Sequence, residues 1–238
     1  MTRPTTAGQL PEAVARAGSE VRTAEPPRFA WAELAGRLVE LSGDGASASL
    51  TLAMRLVLDA QAVGEPVAWL GSDEQSFYPP DAAESGVDLE SLVVVRISPQ
   101  PSAAGSGGAA GPGVKARGKA AGGAPAFGQR LAVAAERLLR SGAFGLVVLD
   151  LGKDIALSQP MQSRLLGLAQ HHHAVVLCLT RKAEASPSLG SLVSLHASAV
   201  RIWLGKERFA CELRVHKDKR RGPVWSEREV YRGPMGLR

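Results

Sequence analysis

The chain has 238 residues, of which 45% are hydrophobic and 5% aromatic, and it carries a formal net charge of +5. That length and apolar content predict one domain with a sizeable core, filled mainly by Leu, Val and Ala. No run of eighteen or more apolar residues occurs and the first six residues lack an apolar stretch, so neither a membrane span nor a secretory signal is expected. The cysteines Cys178 and Cys211 lie in apolar runs and are expected to be reduced and buried, with no metal site.

Charge is divided unevenly along the chain. Residues 1–98 carry 7 Arg, no Lys and 14 Asp+Glu, whereas residues 99–238 carry 21 Lys+Arg and 9 Asp+Glu. A basic second half favours an acidic partner, nucleic acid first, and the unlike halves also permit head-to-tail self-association. The alternative is a solvated surface that binds neither.

Residues 1–28 are rich in Pro, Thr and Ala and are interpreted as an arm outside the core. Leu10, Val14 and Ala17 recur at helical spacing, which predicts one helix with a face that can dock on another surface. The remainder, residues 29–238, is interpreted as a single domain.

Residues 30–97 alternate between helical and strand patterns. In chain order we expect a short helix at 30–36, a strand at 37–41, a glycine turn, an amphipathic helix at 47–63, a strand at 66–70, a helix at 81–85 and a strand at 92–97. Alternation without hairpin turns favours a parallel sheet covered by helices on both faces. Residues 98–125, rich in Gly, Ala and Pro, interrupt the domain and are predicted to form a disordered loop; a basic tether for DNA is the alternative.

Residues 126–238 begin with the same alternation and then change character. We expect a helix at 126–141, a strand at 144–150, a helix at 161–172, a strand at 174–180, a loop with a short helix at 185–194, and strands at 199–204, 209–216 and 224–231. The last three strands are predicted to be antiparallel. The expected fold class is therefore α/β, with a mainly parallel central sheet, flanking helices and antiparallel C-terminal strands.

The glycine turn lies where many α/β proteins bind phosphate, between a buried strand and the start of a helix. The turn is formed by Gly43, Asp44, Gly45, Ser47 and Ser49. A working ATP-binding loop also needs a lysine for the terminal phosphates, yet no lysine precedes Lys115. Asp44 moreover places a negative charge where a phosphate would bind. The sequence predicts a degenerate nucleotide loop.

Asp150 ends an apolar strand and occupies the place of the acid that coordinates Mg²⁺ in phosphate-loop ATPases. The run His171-His172-His173 does not predict a metal site, because consecutive residues at a helix end point in different directions. We therefore expect no catalytic residue and no metal ligand.

A basic set near the C-terminus is the strongest candidate for binding. Its members are Lys206, Arg214, Lys217, Lys219, Arg220 and Arg221. Residues 206–238 hold 10 Lys+Arg and 5 Asp+Glu, and four of the cations fall within the turn predicted at 217–223. Several positive charges on a rigid hairpin suit contacts with DNA phosphates, and a solvated hairpin is the alternative.

These segments resemble the RecA ATPase core in order and spacing. The matching stretches are Leu-Thr-Leu at 50–52, Val-Ala-Trp-Leu at 67–70, Gly-Val-Asp at 86–88, Leu-Val-Val at 92–94, the acid-bearing strand at 141–150 and the C-terminal hairpin at 213–231. The resemblance covers residues 30–98 and 126–238. It implies that Asp73 and Glu74 lie near the position of RecA's water-activating glutamate. It also implies that the position of the nucleotide-sensing glutamine falls near Thr180, so that this glutamine is lost.

With its degenerate loop and Val-Ala-Trp at 67–69, the chain resembles the ImuA family in particular. The resemblance implies a cytoplasmic, nucleoid-associated accessory protein without ATPase activity or cofactor. It implies action beside ImuB and a DnaE-type polymerase in SOS-induced mutagenic translesion synthesis, through binding to RecA, ImuB or DNA. The arm at 8–18 is placed like RecA's own subunit-linking segment. Lys217 and Lys219 match two RecA lysines that reach the neighbouring subunit's nucleotide.

Two other functions stay open at this point. The chain could be a divergent DNA-dependent ATPase or recombinase of the RecA family. It could also be a cell-division inhibitor of the SulA type, since such proteins are distant relatives of the same core.

Overall fold

A computed structural model describes residues 29–45, 47–72, 77–98, 127–205, 208–222 and 225–232. Several parts of the sequence predictions lie outside these ranges. They include the arm at 1–28, residues 99–125 of the predicted loop, and Lys206. The helices are α1 (Trp31–Leu34), α2 (Ser49–Ala62), α3 (Pro79–Glu84), α4 (Phe127–Arg140) and α5 (Gln159–His172). The strands are β1 (Arg37–Gly43), β2 (Val67–Gly71), β3 (Leu92–Arg96), β4 (Leu146–Lys153), β5 (Val175–Arg181), β6 (Leu195–Gly205), β7 (Arg208–Asp218) and β8 (Ser226–Arg232).

The strands form one eight-stranded sheet in the order β3-β2-β4-β5-β1-β6-β7-β8. Pairing is parallel from β3 to β6 and antiparallel from β6 to β8. Every residue of β1 and of β2 is buried, as expected for parallel strands with both faces covered. The predicted fold class, a mainly parallel α/β sheet with antiparallel C-terminal strands, is confirmed.

Two apolar clusters cover the two faces of the sheet. Alternate residues of β1 divide between them: Val39 and Leu41 pack toward α2, whereas Leu38 packs toward α4 and α5. The buried stripe of α2 includes Leu52, Leu56 and Ala60, each one helical turn from the next. Among the helices described, none is long and apolar enough to cross a membrane.

Three local predictions were wrong. Strand β6 begins at Leu195 rather than at 199, because residues 195–198 pair in parallel with β1, and polar His196 and Ser198 obscure that strand in the sequence. The short helix predicted within 185–194 is a turn-rich connection instead. Lys217 belongs to strand β7 rather than to the turn that follows.

A buried ion pair joins the amino end of β1 to the C-terminal hairpin formed by β7 and β8. Arg37 Nη2 lies 2.5 Å from Asp218 Oδ1, and the two side chains are 3% and 0% exposed. Asp218 also accepts the Arg220 N–H at 2.9 Å and the Trp225 indole N–H at 3.1 Å. Burial alone would raise the pKa of Asp218, but these hydrogen bonds outweigh it and hold the pKa below its ordinary value.

We predict that Asp218→Ala lowers the free energy of unfolding by about 3–5 kcal/mol at neutral pH, because it leaves a buried guanidinium without its counter-ion. The combined change Arg37→Met with Asp218→Leu removes both charges and should recover most of that loss. Urea denaturation measures both variants. A double variant as unstable as Asp218→Ala would contradict the assignment of the loss to the unpaired charge.

The contribution of the Asp218 carboxylate to the free energy of unfolding should depend on pH in one direction. Because the folded-state pKa of Asp218 is lowered, its stabilisation is complete above the unfolded-state pKa of about 3.9 and is lost as the pH falls through the folded-state value. The stability difference between the native chain and Asp218→Asn should therefore shrink only on acidification below about pH 4.

Candidate functional site

The fold brings the glycine turn and Asp150 to the same cavity. Strands β1, β4 and β5 are parallel neighbours, so their carboxyl ends meet at one edge of the sheet. The cavity there measures about 490 Å³. It is lined by Gly43, Asp44, Gly45, Ser47, Ser49, Leu50, Asp150, Leu179, Thr180 and Arg181. All the residues predicted for the degenerate loop, and the predicted acid, thus line one site.

The N–H groups of Gly45, Ser47 and Ser49 have hydrogen-bond acceptors within the loop. The Asp44 carboxylate accepts the Gly45 N–H at 2.9 Å, and Ser47 Oγ lies 3.3 Å from the Ser49 nitrogen and 2.8 Å from Ser49 Oγ. In a phosphate-binding loop such N–H groups point at the anion. Here an internal carboxylate takes one of those places, so an incoming phosphate meets a negative charge.

Gly43 is required for this compact loop. A Cβ atom at position 43 would lie 2.3 Å from Ser47 Oγ, which is inside van der Waals contact. Gly45 adopts a φ of +55°, a conformation that glycine reaches without strain. The two glycines therefore have conformational roles in this turn that do not depend on a ligand.

Asp150 is half-buried near the end of β4, opposite Leu179 of β5. An irregularity in the pairing follows directly, between Asp150 and Gly152. Within the described ranges no group of three His, Cys, Asp or Glu side chains is arranged to hold a metal ion. The former Mg²⁺-binding role of Asp150 stays a prediction from its position.

Arg181 is a cation of the cavity that the sequence analysis missed. It is the last residue of β5 and pairs in register with Gly43 of β1 and Lys153 of β4. The available signal was a basic residue directly after a buried strand, since the end of a parallel strand lies beside the end of its neighbour. Arg181 supplies a positive charge at the loop, although not from the loop itself.

Thr180, where the nucleotide-sensing glutamine of RecA was expected to be lost, points into the protein. Its Oγ1 donates to Glu40 Oε1 at 3.2 Å, and Glu40 is fully buried in β1. Glu40 also pairs with Lys182 and accepts the Leu189 N–H at 2.7 Å. Thr180 therefore has a structural partner.

A second cavity of about 200 Å³ lies on the other side of the loop. It shares Gly43, Asp44 and Ser47 with the larger cavity and adds Lys182, Arg201 and the acid Glu184. Lys182 is paired with the buried Glu40. Asp44 thus lines two cavities that each contain a positively charged side chain.

The predicted basic set does not form one patch. Lys217 Nζ donates to the carbonyls of Gly190 and Ser191 at 3.4 and 3.3 Å, and Lys219 Nζ donates to the Ser191 carbonyl at 2.6 Å. Partial burial, followed by the charge of Lys219, lowers the pKa of Lys217. Neither lysine forms an ion pair within the described part of the chain, so both charges remain available to an external anion.

The next two cations anchor the turn to α1. The Arg220 guanidinium donates to the carbonyls of Glu33 and Ala35 at 3.2 and 3.0 Å, and Arg221 pairs with the Glu33 carboxylate. Together with the Arg37–Asp218 pair, these contacts fix the turn beyond the amino end of β1. The degenerate loop follows the carboxyl end of the same strand, roughly 20 Å away over seven residues.

Arg214 lies apart from the turn and is already paired. Its guanidinium contacts the Glu212 carboxylate at 2.8 Å and Glu184 at 3.3 Å. The hydrogen bonds that Arg214 donates to Glu212 and then to Glu184 raise the pKa of Arg214. Of the six predicted cations, Lys217 and Lys219 are therefore the pair best placed to bind a partner, and Lys206 lies outside the described residues.

The other residues singled out in the sequence have simple structural settings. Cys178 and Cys211 are free and buried, as predicted. His171 and His172 end helix α5 with their rings in edge contact, and His173 follows in the left-handed region with a φ of 54°. Its N–H caps the helix by bonding the Ala169 carbonyl.

Comparison with known proteins supports a RecA-like class. No family profile matches the chain. A stretch of 115 residues is 30% identical to Protein RecA of Mycobacterium leprae (strain TN), covering 48% of this chain and 12% of that protein. The chain thus spans about an eighth of the length of this curated relative. With the α/β topology above, this identity supports a distant relationship to RecA.

We predict that Asp44→Asn strengthens binding of pyrophosphate about three- to tenfold at low ionic strength, because it removes one negative charge beside the anion. Asparagine keeps an oxygen that can accept the Gly45 N–H, so the loop conformation is retained. Arg181→Gln should weaken binding by a similar factor, and Glu90→Gln, an exposed change far from the cavity, should have no effect. Isothermal titration calorimetry measures all four proteins, and equal affinities would contradict an electrostatic role for Asp44.

Proposed function

We propose that this chain is a RecA-like accessory protein of SOS-induced mutagenic translesion DNA synthesis, of the ImuA type, that acts at the nucleoid by binding and without ATP turnover. Its partners in this proposal are RecA, ImuB and through ImuB a DnaE-type polymerase, with DNA as a further ligand. The RecA-like class supplies the context of DNA repair. The finer assignment rests on the sequence resemblance and on the chemistry of the loop.

The observation that carries the proposal is the internal carboxylate of the phosphate loop. Asp44 accepts the Gly45 N–H, which places a negative charge in the turn where a phosphate-binding loop receives its anion. Loss of a lysine contact to the phosphates removes charge-assisted hydrogen bonds that stabilise the transition state of phosphoryl transfer. A RecA-like sheet with such a loop is suited to presenting surfaces.

The surface that we assign to partner binding is centred on Lys217 and Lys219. Both ammonium groups are held by carbonyls of residues 190–191 rather than by carboxylates, so they are positioned without being neutralised. The turn beside them is rigid, since Arg220 and Arg221 fix it to α1. Positioned, unneutralised cations suit either DNA phosphates or an acidic face of a protein partner.

A divergent DNA-dependent ATPase is the second candidate, and one observation favours it. Arg181 and Asp150 both line the cavity of the degenerate loop. A cation and a carboxylate at the carboxyl ends of neighbouring strands are two of the groups that ATP hydrolysis needs. In this candidate Arg181 would replace the missing lysine.

The proposal is tested by measuring affinities of the purified chain for immobilised cognate RecA, cognate ImuB and single-stranded DNA. We expect binding to at least one of the two proteins, and a loss of about tenfold in the variant Lys217→Gln with Lys219→Gln where that pair makes the contact. Glutamine keeps an N–H donor for the carbonyls of residues 190–191, so the change removes charge with little loss of structure. If DNA is the ligand, the slope of log affinity against log salt should fall by about 1.4, or 0.7 for each lost phosphate contact.

The matched control is Arg137→Gln with Arg164→Gln, which removes the same charge from α4 and α5. It should change every affinity by less than about twofold, as expected for exposed charges away from the contact. Absence of binding to both RecA and ImuB would refute the accessory role. An equal loss in both double variants would show that net charge, rather than this surface, governs binding.

A further inference from the structure

An apolar groove lies on the α2 face of the sheet and shares Leu50 with the cavity of the glycine turn. It is bounded by α2, α3 and strands β7 and β8, and its volume is about 580 Å³. Its apolar lining comprises Leu50, Met54, Leu58, Tyr78, Ala82, Phe209 and Tyr231. Tyr78 leaves 60% of its surface exposed, which is unusual for so large a side chain beside a groove of this kind.

The rim of the groove is charged with both signs. Asp81 and Glu84 of α3 lie on one side, and Arg232 of β8 and Arg55 of α2 lie on the other. Arg55 is held by Glu229 and Glu227 of β8. An apolar floor with acidic and basic rims is typical of a surface that receives an amphipathic helix.

The chain enters the described structure at the edge of this groove. Arg55 Nη2 donates to the Phe29 carbonyl at 2.5 Å, and the Phe29 N–H donates to Glu227 Oε1 at 3.1 Å. The guanidinium of Arg55 also lies over the Phe29 ring, 5.7 Å from its centroid. Arg55 thus both contacts Phe29, the first described residue, and lines the groove. Residues 1–28 are therefore connected to the domain beside the groove.

Segment 8–18 of that arm has the length and chemistry that the groove requires. The helix predicted within it, at 10–17, has Pro11 in its first turn and would be about 12 Å long, which equals the length of about 12 Å of the α2 wall from Leu50 to Leu58. Leu10, Val14 and Ala17 provide an apolar face at helical spacing. Glu12 and Arg16 are four residues apart and lie on the opposite face of the helix, which leaves both charges in solvent when the apolar face is covered.

The connection is long enough to permit docking within one molecule. Residues 19–28 join the segment to Phe29, and such a link can extend roughly 30 Å, more than twice the length of the α2 wall. A tethered segment binds at a high effective concentration, so even a small apolar face can be held.

We propose that segment 8–18 docks in the groove between α2, α3 and the β7–β8 pair of its own chain. Leu10 and Val14 contact the apolar floor, and the charged face of the segment is left in solvent. In this state the apolar face of the arm is covered, so an external partner of the arm must displace it from the groove. The docking does not depend on the function proposed above.

The experiment is cysteine cross-linking with a short bis-maleimide in the full chain carrying Ala13→Cys and Ser85→Cys. Ser85 lines the groove and is exposed, whereas the native Cys178 and Cys211 are buried. The matched control pairs Ala13→Cys with Ser141→Cys at the end of α4. The two serines have the same setting, because each hydroxyl bonds the carbonyl three residues earlier, at 2.7 and 2.6 Å.

We expect an intramolecular product at monomer mass, with a yield at least about fivefold above that of the control pair. The reason is that docking raises the effective concentration of one thiol near the other. Adding Leu10→Asp with Val14→Asp should reduce the yield to the control level. Dimer-mass product alone would assign the groove to a second copy of the chain and overturn the proposal. A yield equal to the control, or unaffected by the two aspartates, would also overturn it; thermal unfolding verifies that each variant is folded.

Discussion

Glu40 is fully buried in the middle of the central strand β1, so its carboxylate depends on partners within the protein. It is satisfied by the ammonium of Lys182, the hydroxyl of Thr180 and the N–H of Leu189. These groups hold the end of β5 and the connection that follows it, because an unpaired buried carboxylate would cost several kcal/mol. Arg181, the last residue of β5, lines the cavity. The connection between β5 and β6 contains the carbonyls of residues 190–191, which accept hydrogen bonds from Lys217 and Lys219. One buried charge therefore positions both candidate sites.

The two sites lie at opposite edges of the same sheet, and they differ in what they can bind. At the carboxyl ends of the parallel strands, the Asp44 carboxylate accepts the Gly45 N–H and places a negative charge in the loop. At the amino edge, the Arg37–Asp218 pair and the contacts of Arg220 with α1 fix a turn next to two unneutralised lysines. In the function that we propose, the fold keeps the place of a nucleotide site and binds its partners through the surface at Lys217 and Lys219.

Sequence patterns predicted most of this architecture, because long apolar runs and apolar residues at helical spacing indicate which side chains are buried. They located Gly43, Gly45 and Asp150, since strand ends in a parallel sheet converge. They missed Arg181, whose role depends on its register with Gly43, and they misplaced the start of β6, where His196 and Ser198 hide a buried strand. They also grouped Arg214 with Lys217 as one basic surface. Only tertiary contacts reveal that Glu184 and Glu212 pair with Arg214, whereas backbone carbonyls hold the lysines.

The most direct test of the central claim is a measurement of ATP turnover by the purified chain, with and without single-stranded DNA, beside the variant Asp150→Ala. If the protein acts by binding, the native chain should hydrolyse ATP no faster than Asp150→Ala, and DNA should not change either rate. Robust DNA-stimulated hydrolysis that Asp150→Ala abolishes would contradict the claim and would favour the divergent ATPase, with Arg181 in place of the absent lysine.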